Sequence, residues 1–190
     1  MKLKPLKIGK YEIKYPIIQG GMGVGISWDK LAGNVSLEGG LGVISSVGSG
    51  YYEDKKYAKL SFGRPLTEEN FHSRDGLFAI INNARKICGN APLGVNILHA
   101  ISDYSRVVKD SCEAGIDIII TGAGLPTGMP ELTLDFPDVA LVPIVSSGKA
   151  LRIIAKRWEQ RYKRLPDAVI VEGPLSGGHQ GIPYDDCHKP

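Results

Sequence analysis

Six short apolar runs recur along the chain: 15–21 (YPIIQGG), 41–47 (LGVISSV), 93–100 (LGVNILHA), 116–124 (IDIIITGAG), 139–147 (VALVPIVSS) and 167–173 (DAVIVEG). Each is rich in Val and Ile and lacks polar alternation, the pattern of strands buried on both faces of a parallel sheet. Between the runs, apolar positions fall at helical spacing. Ser27 is placed to cap a helix carrying Trp28, Leu31, Ala32 and Val35, which Gly39 and Gly40 end. A second helix is predicted over 73–87, with Leu77, Ile80, Ile81 and Ala84 on one face. A third begins near Ser102, with Tyr104, Val107, Val108 and Cys112 inward and Gly115 as terminator. The fourth, over about 149–164, buries Leu151, Ile154, Ala155, Trp158 and Tyr162. Serine at the start and glycine past the end are the expected punctuation.

Strands alternating with helices through right-handed crossovers make an α/β fold. An open doubly wound sheet would gather ligand contacts at one switch point. Here glycine-rich or polar tips follow nearly every strand: QGGMG, SSVGSG, NILHA, TGAGLPTG, SSGK and GPLSGGHQG. That distribution favours a TIM (β/α)8-type barrel, whose loops meet at one mouth. A complete barrel needs about 250 residues, whereas this chain supplies about the first six strands in 190. The expectation is therefore that residues 1–190 form the N-terminal portion of a single barrel domain. A second chain would supply the last strands, or they would be absent. The segment 48–72 is longer than a usual connection and reads equally as a lid insertion or a surface excursion.

Composition narrows the setting. With 43% hydrophobic and 23% charged residues and a net charge of +3, the chain reads as an ordinary globular protein, without the basic excess of a nucleic-acid binder. No apolar segment nears the ~20 residues needed to span a bilayer. The basic N-terminus MKLKPLKIGKYEIKY lacks the apolar core of a signal peptide. Cys88, Cys112 and Cys187 are widely spaced and odd in number, which fits a reducing cytoplasm. The basic cluster of Arg152, Lys156, Arg157, Arg161, Lys163 and Arg164 reads as the solvated face of the fourth helix.

The motifs PIIQGGMG at 16–23, GGLGVIS at 39–45, GVN at 94–96, TGAGLP at 121–126 and EGPLSGGHQG at 172–181 occur in this order at the ends of successive strands. In that arrangement the chain resembles the flavin-dependent nitronate monooxygenase (2-nitropropane dioxygenase) family, a relative of the FMN-dependent enoyl-acyl-carrier-protein reductases. The resemblance implies an FMN-binding barrel, with the backbone of Gly21, Met22 and Gly23 against the flavin and Asn96 reaching it through its amide. Glu172, Gly177 and Gly178 match positions around the flavin, and His179 matches the family's active-site histidine. Lys149 corresponds more loosely to a polar position after the fifth strand. The chain departs from the family at Pro174 and Leu175, where relatives read EAGGH or ESGGH. The glycine-rich loops that hold the FMN phosphate belong to the last two family strands.

As for His179, an unperturbed imidazole has a pKa of about 6.5 and suits proton exchange near neutrality. Its glycine neighbours admit a flat ligand, although a loop histidine can also pair with a backbone carbonyl. The stretch 20–23 can be a tight turn or a small-residue floor, and its spacing is not that of GxGxxG. Asn96 ends an apolar strand and needs partners for its carboxamide, from a ligand or from a loop. His72, His99 and His188 read as structural or solvated. No histidine–cysteine spacing suggests a metal site.

The resemblance thus implies an oxidoreductase that converts alkyl nitronates with O2 to a carbonyl compound and nitrite, using FMN. One rival is an FMN- and NAD(P)H-dependent enoyl-acyl-carrier-protein reductase. Another is a non-catalytic barrel fragment that acts only with a partner chain. The expected partner is a small-molecule substrate; a homo-oligomer is left open, and neither nucleic acid nor membrane is expected.

Overall fold

The computed structural model describes residues 3–52 and 71–177. A hairpin of β1 (Leu6–Ile8) and β2 (Tyr11–Ile13) opens the chain, followed by α1 (Asp29–Leu37), β3 (Gly42–Ser45) and a 3-10 turn at Ser49–Tyr51. Then come α2 (Arg74–Cys88), β4 (Leu93–Leu98), α3 (Tyr104–Glu113) and β5 (Ile118–Gly122). The chain continues through α4 (Met129–Leu132), β6 (Ala140–Val145), α5 (Gly148–Tyr162) and β7 (Ile170–Val171).

Strands β3 to β7 are parallel and lie side by side in chain order. Residues 17–19 join the outer edge of β3. Ile18 bridges Leu41 in parallel, the Leu41 amide donates to the Ile17 carbonyl at 2.9 Å, and the Gln19 amide donates to the Leu41 carbonyl at 3.0 Å. A doubly wound sheet reverses its strand order at the switch point. This order never reverses among the described residues, and the sheet curls into part of a (β/α) barrel with helices on its outer side.

Two apolar layers follow from the period of two along each strand. Ile44, Val95, Ile97, Ile119 and Leu141 face outward and pack with Leu77, Ile80, Ile81 and Ala84 of α2, Val107 and Val108 of α3, and Ile154 and Trp158 of α5. Leu41, Val43, Ile118, Ile120, Ala140 and Val142 face inward with Ile8 and Ile13 of the hairpin. Helix α1 lies so close to β3 that a Cβ on Gly42 would stand 1.8 Å from the Ala32 carbonyl oxygen. On α5, Arg152, Lys156, Arg157 and Arg161 are exposed while Trp158 is buried.

The hairpin closes the N-terminal end of the barrel wall, and sequence reasoning missed it. Its three-residue strands are too short to show a period. Asp167 and Ala140 abut the backbone at Gly9, and the Tyr11 hydroxyl donates to the Asp138 carbonyl at 3.0 Å. Burial, then the Asp117 and Asp138 carboxylates, push the Tyr11 phenol up to about 12.

Two aspartates fasten this same end. Asp117 accepts from the Leu93 amide at 2.9 Å and from Arg85 at 2.8 Å. Asp167 accepts from the Leu141 amide at 2.8 Å and from Arg164 at 2.9 Å. Each carboxylate, placed shortly before one strand, thus holds an amide at the start of the strand beside it, the first of β4 and the second of β6.

All four predicted helices begin within about two residues of expectation, and Ser73 caps α2 by accepting from the Gly76 amide. Ser27 is the correction. Helix α1 starts at Asp29 with Trp28 at the N-cap position, and Ser27 is buried under the preceding loop. The first apolar run is also shorter as a strand than expected, reduced to the Ile18 bridge. Most of the proposed lid, 53–70, lies outside the described residues. Among the described residues no helix is long and apolar enough to cross a membrane.

Asp117→Ala and Asp167→Ala are each expected to cost about 1–3 kcal/mol, because a strand amide and an arginine lose their shared acceptor. Urea denaturation followed by far-UV circular dichroism would read this as a lower midpoint. An unchanged midpoint in both variants would show that the carboxylates do not fasten the strands.

Candidate functional site

Parallel strands in one order place every following loop on one rim, where barrel enzymes build their sites. At that rim the chain leaves residue 19 through Gly20 and Gly21 and turns back at Ser27. The Ser27 hydroxyl donates to the Gly20 carbonyl at 3.0 Å and accepts from the Met22 amide at 2.9 Å. The Ser27 carbonyl accepts from the Ser45 amide at 2.8 Å, which ties the loop to the tip of β3.

This fold brings Gly21 against Asn96. A Cβ built on Gly21 would lie 2.5 Å from Asn96 Cβ and 3.4 Å from its Nδ2. Only glycine permits that approach. Asn96 is half-buried on the inner face of β4, in register between Ser45 of β3 and Ile120 of β5. Among the described residues its carboxamide has no hydrogen-bond partner, although its backbone carbonyl accepts from the Ser46 amide at 3.2 Å. Met22 and Gly23 follow on the exposed rim, with Gly23 close to Val47 of the next loop.

Glu172 directly follows β7, its amide donating to the Val145 carbonyl at 2.9 Å, and Gly177 lies exposed five residues further on. They share the rim with Gly21 and Asn96 without touching them. Lys149 is exposed at the start of α5. Gly178 and His179 lie outside the described residues. Among the described residues, a Cβ on Gly20, Gly173 or Gly177 would meet nothing within 4 Å, so these leave open space beside the rim. An uncommitted carboxamide, a glycine-lined turn above it and adjoining open space fit the edge of a flat, hydrogen-bonding ring such as a flavin.

His99 is a further rim group that sequence reasoning set aside. Its ring lies 4.8 Å from that of Tyr104, and a Cβ on Gly124 would come 2.6 Å from its Nδ1. Burial lowers its pKa below 6.5 and pushes the Tyr104 phenol upward. Its position directly after β4 was the available signal.

Ser49, His72 and Asp110 form a line that resembles a nucleophile relay. Ser49 Oγ is 3.3 Å from His72 Nδ1, and His72 Nε2 is 3.1 Å from Asp110 Oδ2. All three are buried, and the Ser49 hydroxyl already accepts from the Ser73 amide at 2.9 Å and donates to the Ser73 carbonyl at 3.2 Å. With Arg74 on Asp110 at 2.6 Å, the group is a clamp joining the residues on either side of 53–70. This confirms the structural reading of His72.

Residues 4–189 match the family model described as nitronate monooxygenase. Among solved structures, FabK from Thermotoga maritima is similar with a TM-score of 0.65 and 28% identity, over 90% of this chain and 44% of that one. Nitroalkane oxidase from Streptomyces ansochromogenes shares the fold, with a TM-score of 0.58 and 20% identity, over 94% of this chain and 52% of that one. The chain thus spans about half the length of these structures. A comparison with curated proteins gives no match.

Gly21→Ala forces a methyl into Asn96, so the loop or the carboxamide must move, at about 1–3 kcal/mol. The Asn96 side-chain amide signals in an NMR spectrum should shift; unmoved signals would refute the contact. For His99 the folded pKa lies below the unfolded value of about 6.5. The unfolded chain therefore binds more protons between the two values, and stability falls as pH drops below about 6.5. Urea midpoints at pH 7.5 and 5.5 should differ less in His99→Gln than in the parent chain.

Proposed function

Because the chain belongs to the nitronate monooxygenase family, we propose that it forms part of an FMN-dependent oxidoreductase that converts alkyl nitronates with O2 to a carbonyl compound and nitrite. The observation that carries this reading is the meeting of Gly21 with the uncommitted carboxamide of Asn96 on the C-terminal rim of the barrel wall. Gly21, Met22, Gly23 and Asn96 would hold one side of the flavin, and Glu172, Gly177 and Gly178 another. Bound FMN would supply the electron transfer.

The protein's part is binding, orientation and proton handling. The Asn96 carboxamide offers both a donor and an acceptor to a ring edge. The inner wall beneath it, formed by Val43, Ile120 and Val142, is apolar and excludes water from that side. His179 is the proposed base, or the donor that orients the nitronate oxygens, and must come within about 3 Å of the substrate, directly or through one water.

Among the described residues the wall has two open edges, at 17–19 and at β7, where Val171 is 75% exposed. We assign their closure to further strand–helix units, from a second chain where this one does not carry them. Reduction of enoyl-acyl-carrier-protein substrates with NAD(P)H is the second reading, favoured by the 28% identity with FabK.

Anaerobic stopped-flow absorbance separates these readings. An alkyl nitronate should bleach the flavin, NADPH alone should not, and His179→Asn should slow bleaching by about 10²–10⁴-fold. Rapid bleaching by NADPH would instead establish the reductase. A folded chain that stays colourless after incubation with FMN would favour the non-catalytic fragment.

A further inference from the structure

Gln19 ends the outermost wall segment, and its carboxamide is wholly engaged within the protein. Oε1 accepts from the Val43 amide at 3.1 Å. Nε2, with two hydrogens to give, shares them among the Val43 carbonyl at 3.2 Å, Ser27 Oγ at 2.7 Å and the Gly20 carbonyl. Both backbone groups of Val43 on that side are therefore bonded to one side chain.

The register explains the arrangement. Leu41 is bonded by the Ile17 carbonyl and the Gln19 amide. In a parallel ladder the next step would bond Val43 to the Gln19 carbonyl and the Gly21 amide. The Gln19 carboxamide carries the same donor and acceptor as a peptide group, and it occupies that step instead. The main chain is then free to leave the sheet at Gly20 while Val43 stays satisfied. Gly21 is carried over Asn96, and Ser27 captures the returning chain through the Gly20 carbonyl and the Met22 amide.

We infer that Gln19 is a positioning residue: its carboxamide substitutes for one step of the strand ladder and so sets the 20–23 backbone over Asn96, in the place where the flavin edge is to bind. The assignment rests on the flavin reading for its purpose and on the ladder geometry for its mechanism. Glutamine suits the position because leucine offers no hydrogen bond, and a glutamate carboxylate cannot donate to the Val43 and Gly20 carbonyls.

The test uses the full chain with Gln19→Glu and Ser27→Ala, and with Asp117→Ala as a variant weakened at the opposite end. Amide hydrogen exchange at Met22 is measured without FMN, and FMN affinity by quenching of flavin fluorescence. Gln19→Glu and Ser27→Ala should each speed Met22 exchange and weaken FMN binding by about tenfold or more, the scale of one lost hydrogen bond. Asp117→Ala should lower the urea midpoint and leave both readings unchanged. Normal Met22 exchange in both rim variants would overturn the inference. So would an equal loss of FMN affinity in Asp117→Ala, since the effect would then be general stability. If the parent chain binds no FMN, the flavin reading fails, and Met22 exchange alone decides whether Gln19 positions the loop.

Discussion

Parallel pairing between sequence neighbours is the constraint on which the rest of the molecule depends. Strands 42–45, 93–98, 118–122, 140–145 and 170–171 all run one way and never exchange places. Every helix must therefore return the chain to the same starting end, and every loop after a strand emerges at the other. A sheet with one reversed strand would scatter Gly21, Asn96 and Glu172 over two ends. The function read from this chain needs them on one rim.

The two ends of the wall are built for different tasks. At the starting end, carboxylates are spent on neighbours: Asp117 and Asp167 each bind an arginine and a strand amide, and the hairpin lays Ile8 and Ile13 over the inner layer. At the loop end, glycines replace side chains and a carboxamide is left uncommitted. Stability and ligand chemistry can then change separately, since a substitution at Asp117 and one at Gly21 disturb different contacts.

What the sequence made legible was set by burial. Strands covered on both faces must be continuously apolar, and helices covering them must show one apolar stripe, so both could be read without coordinates. The Ser73 cap was legible because a cap acts on amides a few positions away. Ser27 has the same local signature but bonds Gly20 and Met22 behind it, a choice made by the packing of loop against β3. The hairpin escaped because three-residue strands carry too little pattern. Among the candidate site residues, Asn96 was legible as a polar group in an apolar run, but it does not end the strand as expected, since β4 continues past it to Leu98. Its contact with Gly21 was not, since it depends on how far the wall curls. Glu172 and Gly177 could be placed on a rim by strand direction alone, whereas Gly178 and His179 lie outside the described residues.

Gln19 and Asn96 show why residue type alone could not identify the ligand side. Both are carboxamides in apolar segments of one wall, and both carry a donor and an acceptor to satisfy when water is excluded. Gln19 does so on Val43, Ser27 and Gly20. Asn96 lies further along its strand, level with Ser45 rather than with Gly42, and its side chain meets the bare backbone of Gly21 in close contact. Side-chain length adds to that difference in position. The extra methylene of glutamine lets its amide reach back to a neighbouring strand and act as peptide, whereas the shorter asparagine holds its amide at the inner surface. Exchanging the two would give the wall a loose ladder step and the rim an overlong group pressed into Gly21. On the proposed reading, one carboxamide builds the cradle and the other faces its contents because of their different places on the wall as well as that methylene.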